Sequence, residues 1–120
     1  MANELAITIA VTYAKTGSAS RSIRQQINRD VSATPIAGGV VSIPTSWTAV
    51  DFSGVTSPGY ISYQNLDGTN YVEMSVNSGG TNPMVKANPG DVGLFRLDGT
   101  VLYMRAHTAA CDMDLQIFSN

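Results

Sequence analysis

Cys111-Asp112-Met113-Asp114-Leu115-Gln116-Ile117 alternates an apolar with a polar side chain at every step. A period of two puts the Cys, Met, Leu and Ile side chains on one side of an extended chain and the Asp and Gln side chains on the other, which a helix cannot do. The segment therefore reads as a β-strand with one face in a core. The same period governs the other end of the chain, where Leu5, Ile7, Ile9, Val11 and Tyr13 alternate with Ala6, Thr8, Ala10 and Thr12. β-Branched residues dominate its larger face, which again favours a strand.

Working inward from these two strands, Lys15-Thr-Gly-Ser18 offers a turn, and Ser20 to Val31 follows. Ile23, Ile27 and Val31 stand at helical spacing, yet they also share one face of an extended chain. Because a short turn returns the segment to the first strand, it is expected to form the second arm of a hairpin. Residues 33–39 break the periodicity, with Gly38-Gly39 read as turn glycines, and Val40, Val41 and Ile43 begin a short strand stopped by Pro44. Trp47, Val50 and Phe52 form a further apolar set. Tyr60 to Leu66 leads into Asp67-Gly68, a two-residue hairpin signal, and Asn70 to Val76 is the expected return arm.

Asn77 to Pro83 reads as a turn and Met84 to Ala87 as a short strand. Asn88-Pro-Gly-Asp91 fits a type II turn before the strand Val92 to Leu97, and Asp98-Gly99 turns the chain into Thr100 to Arg105. About eight or nine closely spaced strands with no helix-length segment describe an all-β fold, an antiparallel β-sandwich of jelly-roll type. Residues 1–120 are read as one domain, without repeat or linker.

Composition narrows the function. With 7 Lys and Arg against 9 Asp and Glu, the net charge of -2 provides no field to collect nucleic acid. Charged residues are 13% of the chain, about half the usual share. Hydroxyls and amides cost less to desolvate than ions, so such a surface suits packing against neighbours. No stretch of about 18 apolar residues suggests a membrane span, and no basic region followed by an apolar run suggests a secretion signal, so synthesis in a cytoplasm is expected.

Candidates for chemistry are few. His107 is the only histidine and Cys111 the only cysteine, so one chain cannot build a two-histidine metal site, an internal disulfide or a multi-cysteine zinc site. The alternation of Cys111 with Met113 and Leu115 puts its sulfur on the apolar face, as core filler rather than nucleophile. Asp112 and Asp114 share a face about 7 Å apart, as a calcium or glycosidase pair would, but Gln116 continues a plain solvated row. Asp67, Asp91 and Asp98 stand in turns beside glycine, where Asp is expected. Trp47, Tyr60, Tyr63, Tyr71 and Tyr103 leave a sugar-stacking platform open, although most suit the core or its rim. Neither Gly38-Gly39 nor Gly79-Gly80 precedes a helix, so no phosphate loop is expected. No enzyme, cofactor or metal is read from these residues.

Gly59-Tyr-Ile-Ser-Tyr-Gln-Asn-Leu-Asp-Gly-Thr-Asn-Tyr-Val-Glu73 resembles a segment of small virion proteins of tailed bacteriophages. Similar too are Asn88-Pro-Gly-Asp-Val-Gly-Leu-Phe-Arg-Leu97, the stretch Leu102 to Leu115 with its Thr108-Ala-Ala110, and the first strand with Thr12-Tyr13 and Lys15. The resemblance implies a non-enzymatic β-sandwich component of the virion. A capsid decoration or cement protein fits best, with the major capsid protein or other virion proteins as partners and a homo-oligomer open. A tail or head-tail component, or a module binding host glycans, are the alternatives. Because Trp and Arg are enriched at interface hot spots, Arg21, Arg24 and Arg29, with Trp47 and Phe52 as apolar anchors, are the expected contact residues.

Overall fold

A computed structural model of the chain describes residues 4–17, 19–30 and 36–119. Among these residues the regular elements are all strands: β1 (Leu5–Tyr13), β2 (Arg21–Arg29), β3 (Ile36–Ile43), β4 (Thr48–Ala49), β5 (Pro58–Asn65), β6 (Val72–Ser75), β7 (Val85–Ala87), β8 (Val92–Arg96), β9 (Tyr103–Ala106) and β10 (Cys111–Ser119). The all-β, antiparallel expectation holds. The ten described strands exceed the expected number because the two-residue β4, read only as part of an apolar set, takes its own place in a sheet.

The chain divides into two compact units, Met1–Ser32 and Ala33–Asn120. The first holds the hairpin β1–β2, paired antiparallel from Leu5↔Arg29 to Tyr13↔Arg21. Pairing with β1 thus overrides the helical spacing of Ile23 and Ile27. All strands of both four-stranded sheets lie in the second unit. The reason is hydrogen bonding: β1 and β2 pair with each other alone and join neither four-stranded sheet.

In the second unit the sheets run β3-β10-β5-β8 and β4-β9-β6-β7. Every antiparallel pair β3:β10, β4:β9, β5:β8 and β6:β7 is present. The nesting is that of one long antiparallel ribbon whose successive rungs are dealt alternately to two sheets, which is the jelly roll. The pairings β10:β5 and β6:β9 join the rungs within each sheet.

The core lies between the sheets. From one come Ile61 and the alternating Cys111, Met113, Leu115 and Ile117, and from the other Val72, Met74, Met104 and Ala106, all buried in one cluster. Leu97 and Leu102 close it near the β8–β9 connection. The alternation that identified β10 is borne out residue by residue.

Two local readings change. Gly38 and Gly39 are not turn glycines but lie within β3, where Gly38 faces Gln116. A Cβ on Gly38 would stand 2.6 Å from the Leu115 carbonyl oxygen, so the close approach of β3 to β10 needs the missing side chain. Asp67-Gly68 does not close a hairpin either. β5 pairs with β10 and β8, while β6 pairs with β7 and β9, so residues 66–71 carry the chain from one sheet to the other. By contrast the turn at Asn88 forms as read, closed by the Asp91 N–H donating to the Asn88 carbonyl at 2.9 Å.

Leu115 sits at the middle of a central strand with its side chain fully enclosed. Leu115→Ala is expected to lower unfolding free energy by about 2–5 kcal/mol, read from urea denaturation with an unchanged slope.

Candidate functional site

The most polar buried feature is the corner after β5. Asn65 is buried, and its amide donates to the carbonyls of Asn70 and Ala87, each at 3.0 Å, while its Oδ1 accepts the Asp67 N–H at 2.9 Å. Its backbone is equally committed: its N–H donates to the Asp91 carbonyl at 2.9 Å and its own carbonyl accepts from the Gly90 N–H at 3.0 Å. One residue thereby ties together the corner and the end of β7 through its side chain, and the turn before β8 through its backbone. Asp67 completes the corner, its Oδ2 accepting from the N–H groups of Thr69 and Asn70. These donors hold its carboxyl below the ordinary aspartate range.

Cys111 packs beneath the same corner, its thiol facing the carbonyls of Ala109 at 3.6 Å and Asn70 at 3.7 Å. Burial, then the nearby Asp67 and Asp112 carboxylates, push the thiol above its ordinary value. This environment disfavours the thiolate. The Asn65 amide and Asp67 Oδ2 are thus engaged by backbone groups of the corner and of Ala87.

On the exposed side of the β4-β9-β6-β7 sheet, Glu73 lies opposite both Lys86 and Arg105. Arg105 pairs with Glu73 at 2.7 Å and covers the Trp47 ring at 4.8 Å. Gly80 lies against the same indole, so close that a Cβ there would run into the ring. Tyr71 carries the His107 imidazole stacked at 4.4 Å and the Lys86 ammonium at 4.2 Å from its centroid. Among the described residues no group of three or more His, Cys, Asp or Glu is placed to hold a metal ion.

The outer face of the β3-β10-β5-β8 sheet differs. Register aligns Val40, Asp114, Gln64 and Val92 in one row across all four strands. Val40 and Val92, at the row's ends, are 64% and 68% exposed. Asp112 joins Asp114 on this face, and the Gln116 amide donates to Asp114 at 3.2 Å.

In the hairpin, directly opposed residues share a face. One face therefore carries Leu5, Ile7, Ile9, Val11 and Tyr13 over Arg29, Ile27, Gln25, Ile23 and Arg21. Ile7 is buried, but Ile9, Val11, Tyr13 and Ile23, toward the turn, are exposed. An isolated two-stranded hairpin is marginal in water, so an apolar face of this kind calls for cover. The face has two cations and no acid. Across the units the charge divides likewise: residues 1–32 carry four Lys and Arg against two acids, and residues 33–120 carry three against seven.

The five expected contact residues fall into two groups. Arg21, Arg24 and Arg29 are exposed on β2, with Arg24 on the face opposite the other two. Trp47 and Phe52 belong to the second unit, Trp47 half-buried under Arg105 and Phe52 packed against the core. The missed feature is the sheet row of Val40 and Val92 with Asp114, whose alignment depends on strand order.

Two outcomes follow. Asp67 is held ionised to lower pH in the folded chain than in the unfolded one, so its stabilising contribution is full above the ordinary aspartate range. That contribution is lost as pH falls through the depressed value, and Asp67→Ala is expected to flatten the loss of stability between about pH 5 and pH 2 in denaturation curves. Cys111 should react with a thiol-specific disulfide reagent only after unfolding; rapid stoichiometric reaction of the native chain would contradict the buried, inert thiol. No protein-family model, curated protein or solved structure matches this chain.

Proposed function

We propose that the chain is a non-enzymatic structural component of a tailed-phage particle, a decoration or cement protein that binds the assembled head and bridges neighbouring shell subunits. The carrying observation is the surface: twelve large hydrophobic side chains are exposed among the described residues of a chain that is only 13% charged. A surface of this composition loses little on desolvation and gains from burial against another protein. The segments that resemble phage virion proteins contribute to β5, the Asn65 corner, β6, β8, β9 and β10, and so to most strands of the two four-stranded sheets. Arg21, Arg24 and Arg29 contribute exposed guanidinium groups, the side chain best suited to charged contacts at an interface.

The energetics rest on repetition. A standard patch of roughly 800 Å² per partner gives useful affinity, and a copy touching two or three shell subunits gains effective concentration for each later contact. Many such copies would raise the force a shell withstands without any chemistry.

Mixing purified protein with matching capsids assembled without it tests this reading. Saturable, stoichiometric binding and a higher rupture temperature are expected. No binding to heads would move the assignment to a tail component or a glycan-binding role.

A further inference from the structure

The exposed half of the hairpin face and the outer face of the β3-β10-β5-β8 sheet are complementary. We infer that the hairpin of one copy docks on this sheet face of a second copy, so that each chain both donates an arm and accepts one.

Charge selects the occupant. Two hairpin faces laid together would oppose Arg21 and Arg29 of each copy with no acid between them. The sheet face offers Asp112 and Asp114, and the unit carrying it holds the chain's surplus of acids. Apolar groups match as well: Ile9, Val11 and Ile23 are exposed on the hairpin, and Val40 and Val92 on the sheet. Dimensions agree too. Ile9 to Tyr13 spans about 14 Å of strand, and the four-strand row from Val40 to Val92 also spans about 14 Å.

Arg21, opposite Tyr13, is the cation of the exposed half and takes the aspartates. Arg24, on the hairpin's other face, stays exposed. In a two-fold dimer the exchange makes the contact twice, whereas a head-to-tail arrangement makes it once per copy along a ring or filament. This link between copies does not depend on the shell reading, since it needs no second protein.

Sedimentation of the full chain up to about 100 μM tests the inference. The unaltered chain should associate, with an affinity that weakens as salt rises. Arg21→Glu alone, and the double variant Asp112→Lys/Asp114→Lys alone, should each weaken association at least tenfold, because each opposes like charges. Their equimolar mixture should recover association, since the arms that bear the new glutamate then meet the new lysines, and arms that keep Arg21 meet intact aspartates. Thermal melts matching the parent chain confirm that the exchanged variants remain folded, and Val11→Ser/Ile23→Ser, which alters no charge, should also lose association. A monomeric parent chain, a double aspartate variant that associates as the parent does, or a mixture that stays monomeric would overturn it.

Discussion

β10 hydrogen-bonds to β3 along one edge and to β5 along the other, while its inward residues Cys111, Met113, Leu115 and Ile117 supply the middle of the core. The last strand of the chain is thus inserted between two strands that come far earlier in the sequence. Its insertion brings the rungs β3:β10 and β5:β8 into one sheet, and the other rungs must then form the facing one. Close approach on the β3 side depends on Gly38, whose missing Cβ leaves room for the Leu115 carbonyl.

Movement between the sheets is specified by hydrogen bonds rather than by apolar contact. The corner at residues 66–71 leaves backbone groups that no ladder can satisfy, and Asn65 and Asp67 take up several of them. A buried amide with its donors and acceptors filled costs little, whereas the same amide unpaired would be strongly destabilising. This explains why a segment rich in Asn, Asp and Thr sits beside a dense core: its polar atoms fix the route of the chain.

The outward surfaces divide by the same logic. Side chains on the β4-β9-β6-β7 sheet satisfy one another through the Arg105–Glu73 ion pair and through stacking on Trp47 and Tyr71. The hairpin face and the row from Val40 to Val92 leave large apolar groups exposed beside cations and anions respectively. Surfaces already satisfied by their own neighbours gain little from a partner, and those left open gain most. The inferred docking of one copy on another therefore uses the hairpin and the β10-bearing sheet, where exposed apolar groups and opposite charges coincide.

Alternation along Cys111–Ile117 and Leu5–Tyr13 determined strands and their apolar faces, because period and residue type are local properties of an extended chain. Turn chemistry likewise placed the bend at Asn88–Asp91. Sequence proximity also paired β2 with β1, but it could not show whether Ile9, Val11 and Ile23 would be covered, and they are exposed. Nor could it show that Asp67-Gly68 connects two sheets, that Gly38 opposes Gln116, or that Arg105 and Gly80 enclose Trp47. Those facts depend on which distant strands become neighbours. Strand order is set by burial and hydrogen bonding summed over the whole chain, so tertiary structure alone decided which faces were closed by the core and which were left exposed.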